Sequence, residues 1–169
     1  MRKIIYQGKY LTMSTEDIDG HIYERVTLRP GVKILAVQDD KILFIKEYRA
    51  HEKSARWKLV TGWVDKENKT TLQIAKEELQ EEASYQAKNW ELFYHLQTTG
   101  GTVEVDTSYF IAKDLQQLPP QNNPDNDIVQ EKKFLTKQEI IQKMQQKEII
   151  WEDDMAVVWM YFENFKRNQ

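Results

Sequence analysis

The chain contains no cysteine, which excludes disulfides, thiolate metal ligands and cysteine nucleophiles. That suits a reducing cytosol, and a cytoplasmic location is expected. Histidine is nearly as scarce: His21, His51 and His95 are scattered, with no spacing that suggests a zinc site. There are six glycines and four prolines; only residues 116–127, with Pro119, Pro120 and Pro124, read as a long loop. No apolar run approaches the ~18 residues that mark a membrane span, so no membrane partner is expected. The start, Met1-Arg2-Lys3-Ile4-Ile5, is basic but lacks the apolar core of a signal peptide. A net charge of -3 argues against a nucleic-acid footprint. No internal repeat is evident, and 169 residues suffice for one domain with a sizeable core.

The pattern that is present alternates strands and helices. Residues 3–6, 10–14 and 22–28 read as short strands of an N-terminal extension spanning 1–30. Pro30-Gly31 breaks the chain before an apolar strand at 32–37, and Asp39-Asp40 turns it into another at 41–47. A helix is expected from about 70 to 83, then strands at 90–98 and 105–112 with Gly100-Gly101 between them. A further strand is expected at 128–135. Thr136-Lys137-Gln138-Glu139 has the capping-box form and opens a helix to about 146. Asp153 or Asp154 then caps a last helix, in which Val157, Val158, Tyr161, Phe162 and Phe165 recur at helical spacing. Such an order predicts an α/β protein with helices flanking sheets.

The chemistry concentrates in the first of these helices. Glu77, Glu78, Glu81 and Glu82 crowd a segment whose apolar stripe is Leu72, Ala75, Leu79 and Ala83. At about 100° per residue, Glu78, Glu81 and Glu82 share roughly a third of the circumference. The pairs Glu77/Glu81 and Glu78/Glu82 place like charges at i,i+4, each unfavourable by roughly 0.2–0.5 kcal/mol in an isolated helix. No arginine on the same face relieves them. A hard divalent cation with oxygen ligands would; so would solvent, if this is simply an acidic helix face.

The surrounding residues favour the cation. Gly62, then Glu78-Leu79, Glu81-Glu82 and Tyr85, resembles the Nudix hydrolase signature G-x5-E-x7-R-E-U-x-E-E-x-G-U. Glu47-Tyr48-Arg49 is similar to the Q-Y-R that precedes the box in the ADP-ribose pyrophosphatase branch. Trp57 to Gly62 is similar to that branch's W-E-L-P-A-G, and the likeness runs from about Val32 onward. It implies a Nudix α/β/α sandwich at residues 31–169, with the N-terminal strands as an addition. It implies Mg²⁺ or Mn²⁺ held by Glu78, Glu81 and Glu82 with the Gly62 carbonyl. It also implies hydrolysis of a nucleoside diphosphate linked to another moiety, ADP-ribose or a nucleotide sugar. In that branch the N-terminal strands cross to a partner subunit, so a homodimer is implied; a small sheet lying on its own domain fits the residues equally.

Several positions depart from the signature. Its arginine is Glu77 and its closing glycine is Ser84; the segment after Gly62 carries one extra residue, so its first glutamate becomes Lys69 counted back from Glu77 or Asn68 counted forward from Gly62, with Glu67 a possible substitute. The branch's W-E-L-P-A-G has Lys58 and Val60 in place of glutamate and proline. These changes leave open a module that binds a nucleotide without turnover, and a triphosphate-cleaving enzyme is a further alternative. Glu104 is the nearest candidate for a general base, or else an exposed acid opening a strand. Arg49 and Arg56 are candidate phosphate ligands. Trp57, Trp63 and Tyr48 are candidate stacking platforms, although aromatics beside strands are core more often than platform.

Overall fold

The N-terminal segment forms three strands: β1 (Arg2–Gln7), β2 (Leu11–Ile18) and β3 (His21–Leu28). Asp19 and Gly20 join the last two through positive φ values of 54° and 81°, the backbone a two-residue hairpin turn requires. The apolar runs on either side of Asp39-Asp40 form β4 (Gly31–Gln38) and β5 (Lys41–Arg49). Both aspartates have positive φ, and Gln38 pairs with Lys41 across the turn. The computed structural model describes residues 1–99, 101–119 and 128–167, with side chains to residue 163. Gly100 and the 120–127 part of the expected loop lie outside the described residues, as does the side chain of Phe165.

Two strands not expected from the sequence follow, β6 (Ser54–Lys58) and β7 (Val60–Trp63). They are short and share no simple polar–apolar alternation. β6 pairs with β5 and β7 with β4, so Leu59 marks a crossing from one neighbour to the other. Helix α1 (Thr71–Ala83) comes next, then β8 (Tyr85–Thr98) and β9 (Val103–Gln117). Both strands exceed their expected ranges, since β9 runs two residues into the segment read as loop. β10 (Val129–Leu135), α2 (Lys137–Gln145) and α3 (Glu152–Arg167) complete the order. The capping boxes at Thr70/Gln73 and Thr136/Glu139 are both formed, each satisfying N–H groups that a helix start leaves without partners.

The sheet runs β1-β2-β3-β9-β4-β5-β10. Its centre is β4, parallel to β9 from Gly31↔Thr107 to Ala36↔Ala112. Because both faces of β4 are covered, its sequence is almost continuously apolar. Val32, Ile34 and Ala36 face Ile74, Ala75 and Leu79 of α1. Leu35 and Val37 face the opposite way, with Ile140 of α2 and Val157, Val158 and Tyr161 of α3. The result is an α/β/α sandwich. Each such side chain contributes roughly 1.5–3 kcal/mol on burial, which dwarfs the like-charge cost on the outer face of α1.

The N-terminal strands lie on their own domain's sheet. β3 joins it in parallel to β9 at Val26↔Val103 and Thr27↔Glu104.

Candidate active site beside helix α1

Helix α1 presents Glu78 and Glu81 to a cavity of about 780 Å³, which Lys9, Arg49, Lys58 and Lys66 also line. Gly62 forms part of the same wall and faces Glu78 closely. A Cβ built at Gly62 would overlap Cγ, Cδ and Oε1 of that glutamate. The glycine is thus required by close approach; its backbone is ordinary strand. A second cavity of about 570 Å³ adjoins the first, and the two share Arg49, Thr61, Gly62 and Trp63. Its remaining wall is largely apolar, with Leu28, Val32, Leu96 and Trp151.

The third acid of the expected set has other partners. Glu82 is buried; its Oε1 accepts from Lys58 Nζ at 3.0 Å and its Oε2 from the Thr61 N–H at 3.0 Å. Lys58 Nζ also lies 2.5 Å from Glu47 Oε2, and the Arg49 guanidinium lies 3.0 Å from Glu47 Oε1. Burial pulls the Lys58 pKa down, but Glu82 and Glu47 outweigh it and hold the ammonium charged, with a pKa above its ordinary value. Among the described residues, no group of three or more acidic or histidine side chains converges as a metal site. Glu78 and Glu81 remain as a pair of wall carboxylates. Such a pair fits Mg²⁺, which binds through one or two carboxylates and leaves other positions for water and phosphate.

Glu77 also has cations the sequence reading did not supply. Lys69 bonds to its Oε1, and Lys66 lies 2.8 Å from its Oε2. These bonds hold the Glu77 carboxyl below the ordinary range. Lys69, one of the positions that can be counted as the signature's first glutamate, is thus ion-paired with Glu77 at the position of the signature's arginine. The like-charge strain expected at Glu77 is relieved from the loop before α1. Ser84 ends α1 with φ 60° and ψ 41°, the left-handed geometry that the signature's glycine adopts freely and a serine tolerates at roughly 1–2 kcal/mol. Its backbone and side chain are both bonded, to Gln80 and Leu118 and to Lys132.

The other expected residues separate. Arg49 lines both cavities and lies 5.4 Å over the Trp151 ring. Arg56 does not line either cavity; it pairs with Glu52 at 2.9 Å and donates to the Lys147 carbonyl. Trp57 is 2% exposed and packs in the core, so no face is open to stack on a base. Trp63 and Tyr10 both line the charged cavity, 5.5 Å apart between ring centroids, and Trp63 and Trp151 line the apolar one.

Glu104 is buried, neither loop-borne nor exposed. It accepts two bonds from Arg2, at 3.0 and 2.9 Å, and one from Thr27 at 2.7 Å. The Arg2 bond, with Thr27, holds its pKa below the ordinary value, which weakens it as a proton acceptor near neutrality. Its geometry ties β1 to β9. In Glu104→Gln, amide hydrogen exchange in β1 is expected to speed up while turnover falls by much less than the ~100-fold a lost general base brings. The sign for pH follows: with a lowered folded-state pKa, this anchor is intact above about pH 4.3 and is lost as pH falls through the lower folded value. A 100-fold loss of turnover with β1 still protected would refute the assignment.

A group absent from the sequence reading sits at the start of α3. The helix begins at Glu152, so Asp153 and Asp154 lie in its first turn and do not cap it. Asp154 is 1% exposed; it binds Lys33 Nζ at 2.6 Å and accepts from the Leu59 N–H. Burial raises its carboxyl pKa despite Lys33. Asp153 binds Lys33 at 2.6 Å and accepts from the Tyr109 hydroxyl at 2.9 Å. Lys33 and Asp153 both reach the apolar cavity. The signal available in the sequence was a lysine inside an otherwise apolar strand, which requires a buried partner.

The profile of the NUDIX domain matches residues 27–155. The chain belongs to the Nudix family. By that membership it is a hydrolase, and Nudix hydrolases generally use divalent metal ions. The chain is 26% identical over 151 residues to the ADP-ribose pyrophosphatase of Bacillus subtilis (strain 168), across 86% of this chain and 81% of that protein. A solved structure described as an ADP compounds hydrolase superposes with a TM-score of 0.78 at 18% identity, covering 99% of this chain and 93% of the other. That likeness shows the Nudix fold, including the N-terminal strands. No helix among the described residues is long and apolar enough to cross a membrane.

Proposed function

We propose that this Nudix protein is a metal-dependent pyrophosphohydrolase that cleaves ADP-ribose or a nucleotide sugar to a nucleoside monophosphate and a sugar phosphate. The observation that carries the reading is the pair of joined cavities, one largely apolar and one charged, meeting at Arg49, Thr61, Gly62 and Trp63. A nucleoside linked through a diphosphate has the same division, with an aromatic base at one end and anionic oxygens beside it. The names of the Bacillus relative and of the ADP compounds hydrolase support the same ligand class.

Glu78 and Glu81 would hold the cation, Mg²⁺ or Mn²⁺, with the Gly62 carbonyl adjacent. When bound, it supplies charge neutralisation on the phosphates and an acidified water. Arg49 orients a phosphate oxygen through a guanidinium that Glu47 and Trp151 hold in place. Trp63 and Tyr10, which both line the charged cavity, would bound the ligand there.

The test is release of nucleoside monophosphate from ADP-ribose and nucleotide sugars, with Mg²⁺, Mn²⁺ or EDTA. Activity is expected only with metal. Glu81→Gln is expected to lower it at least ~100-fold, because such a cation stabilises the transition state by several kcal/mol at about 1.4 kcal/mol per tenfold. A folded protein inactive across the panel with metal present would overturn the reading.

The assembly we infer is a homodimer through the N-terminal strands. Ile4, Ile5, Tyr6, Met13 and Ile22 are exposed on them, a concentration of apolar side chains that marks an interaction surface. Light scattering is expected to give twice the chain mass, falling to the monomer in Ile4→Glu/Tyr6→Glu; a wild-type monomer at micromolar concentration would sink the inference.

A further inference from the structure

We propose that Lys58 is a built-in cation of the active site: it takes the place a second metal ion would fill beside Glu82 and leaves Glu78 and Glu81 to hold a single divalent ion. The inference rests on the metal-dependent reading above and concerns how many ions the site takes.

Three observations support it. Both Glu82 oxygens are engaged from inside the protein, one by Lys58 and one by the Thr61 N–H. The three groups are enclosed, with side-chain exposures of 8% for Lys58, 2% for Glu47 and 3% for Glu82. The charges also balance: Glu47 and Glu82 face Lys58 and Arg49, so this buried group offers no net negative charge to an incoming cation. An ion recruited by Glu82 would have to displace Lys58 and leave an ammonium buried with one carboxylate fewer. Losing one partner of a buried pair is strongly unfavourable. Glu78 and Glu81 are on the cavity wall, while Lys58 pairs with Glu47 and Glu82.

Lys58 also faces that cavity. An ammonium has three N–H donors, and two are directed to Glu47 and Glu82. Because Lys58 lines the cavity, a remaining N–H is available in this reading to donate to a phosphate oxygen. The residue therefore supplies two things a second ion would: neutralisation of Glu82 and positive charge toward the substrate's diphosphate. Lys58 stands where the ADP-ribose pyrophosphatase branch has the glutamate of W-E-L-P-A-G, so one substitution reverses the charge at this point.

The experiment is a Mn²⁺ titration of the full chain without nucleotide, following free Mn²⁺ by electron paramagnetic resonance. The wild type is expected to bind a single ion. Glu81→Gln is expected to weaken it at least ~10-fold, the scale of losing a group that shapes a metal site. Glu82→Gln keeps an oxygen for Lys58 or Thr61 and is expected to leave the affinity within a few-fold. Lys58→Glu, if it folds, is expected to bind a second ion. Two ions in the wild type, or a Glu82→Gln loss as large as that of Glu81→Gln, would overturn the role of Lys58 while leaving metal-dependent hydrolysis standing. Absence of any bound Mn²⁺ would overturn both.

Discussion

Gly62→Ala is expected to lower kcat/KM for a nucleoside diphosphate substrate by at least ~100-fold, with the protein still folded. The reason is local. The new methyl group would occupy the space now filled by Cγ, Cδ and Oε1 of Glu78. Cγ is close to the root of the side chain, so a turn of the carboxylate alone does not clear it. Glu78 must move as a whole, and a displacement of about 1 Å at a reacting centre is enough for a ~100-fold loss. Stability should change little, because Gly62 has the backbone of an ordinary strand that alanine adopts easily. Gly101 provides the control: its added Cβ would meet nothing closer than the Val103 carbonyl at 3.7 Å, ordinary contact, so Gly101→Ala should retain activity. Steady-state kinetics beside thermal melts decide the matter, and full activity in Gly62→Ala would show that Glu78 is not needed where it now sits.

The largest effect on stability is expected from Asp154→Ala. This carboxylate joins three elements, bonding Lys33 of β4, the Leu59 N–H between β6 and β7, and its own helix α3. Removing one partner of a buried pair typically costs 3–5 kcal/mol. Asp153 remains beside Lys33, which places the expected loss at the lower end, ~3 kcal/mol. For a chain of this size that lowers Tm by about 6–12 °C. The apolar cavity should loosen too, since Lys33 and Asp153 form part of its wall, and KM should rise more than kcat falls. A Tm within about 2 °C of wild type would mean the pair contributes little net stability.

How far the sequence disclosed this site depends on the range of each interaction. Helix α1 was legible because its caps and apolar stripe are local, and so was Gly62 through its place in a spaced motif. The strands at 54–58 and 60–63 were not, since each borrows its order from a different neighbour, β5 or β4. Charge was the least legible property. Glu77 reads as a defect beside Glu81 until Lys66 and Lys69 fold back onto it. Glu82 reads as an equal of Glu81, although one turns inward to Lys58 and the other lines the cavity. Adjacent residues on a helix differ by about 100°, and that rotation separates a buried ion pair from a wall carboxylate. Trp57 and Trp63 divide in the same way, into core and cavity.

The attachment of the first strands has a consequence for the order in which the molecule can be completed during synthesis. Among the described residues, β1, β2 and β3 find no strand neighbour beyond one another except β9, and the Thr27–Glu104 bond spans 77 residues of chain. Loop closure over such distances is slow compared with local pairing. These strands leave the ribosome ahead of β9 and must therefore wait for their neighbour until most of the domain has followed them. Lys9 and Tyr10 travel with these strands, so part of the charged cavity's wall is made well before the sheet that fixes it in place.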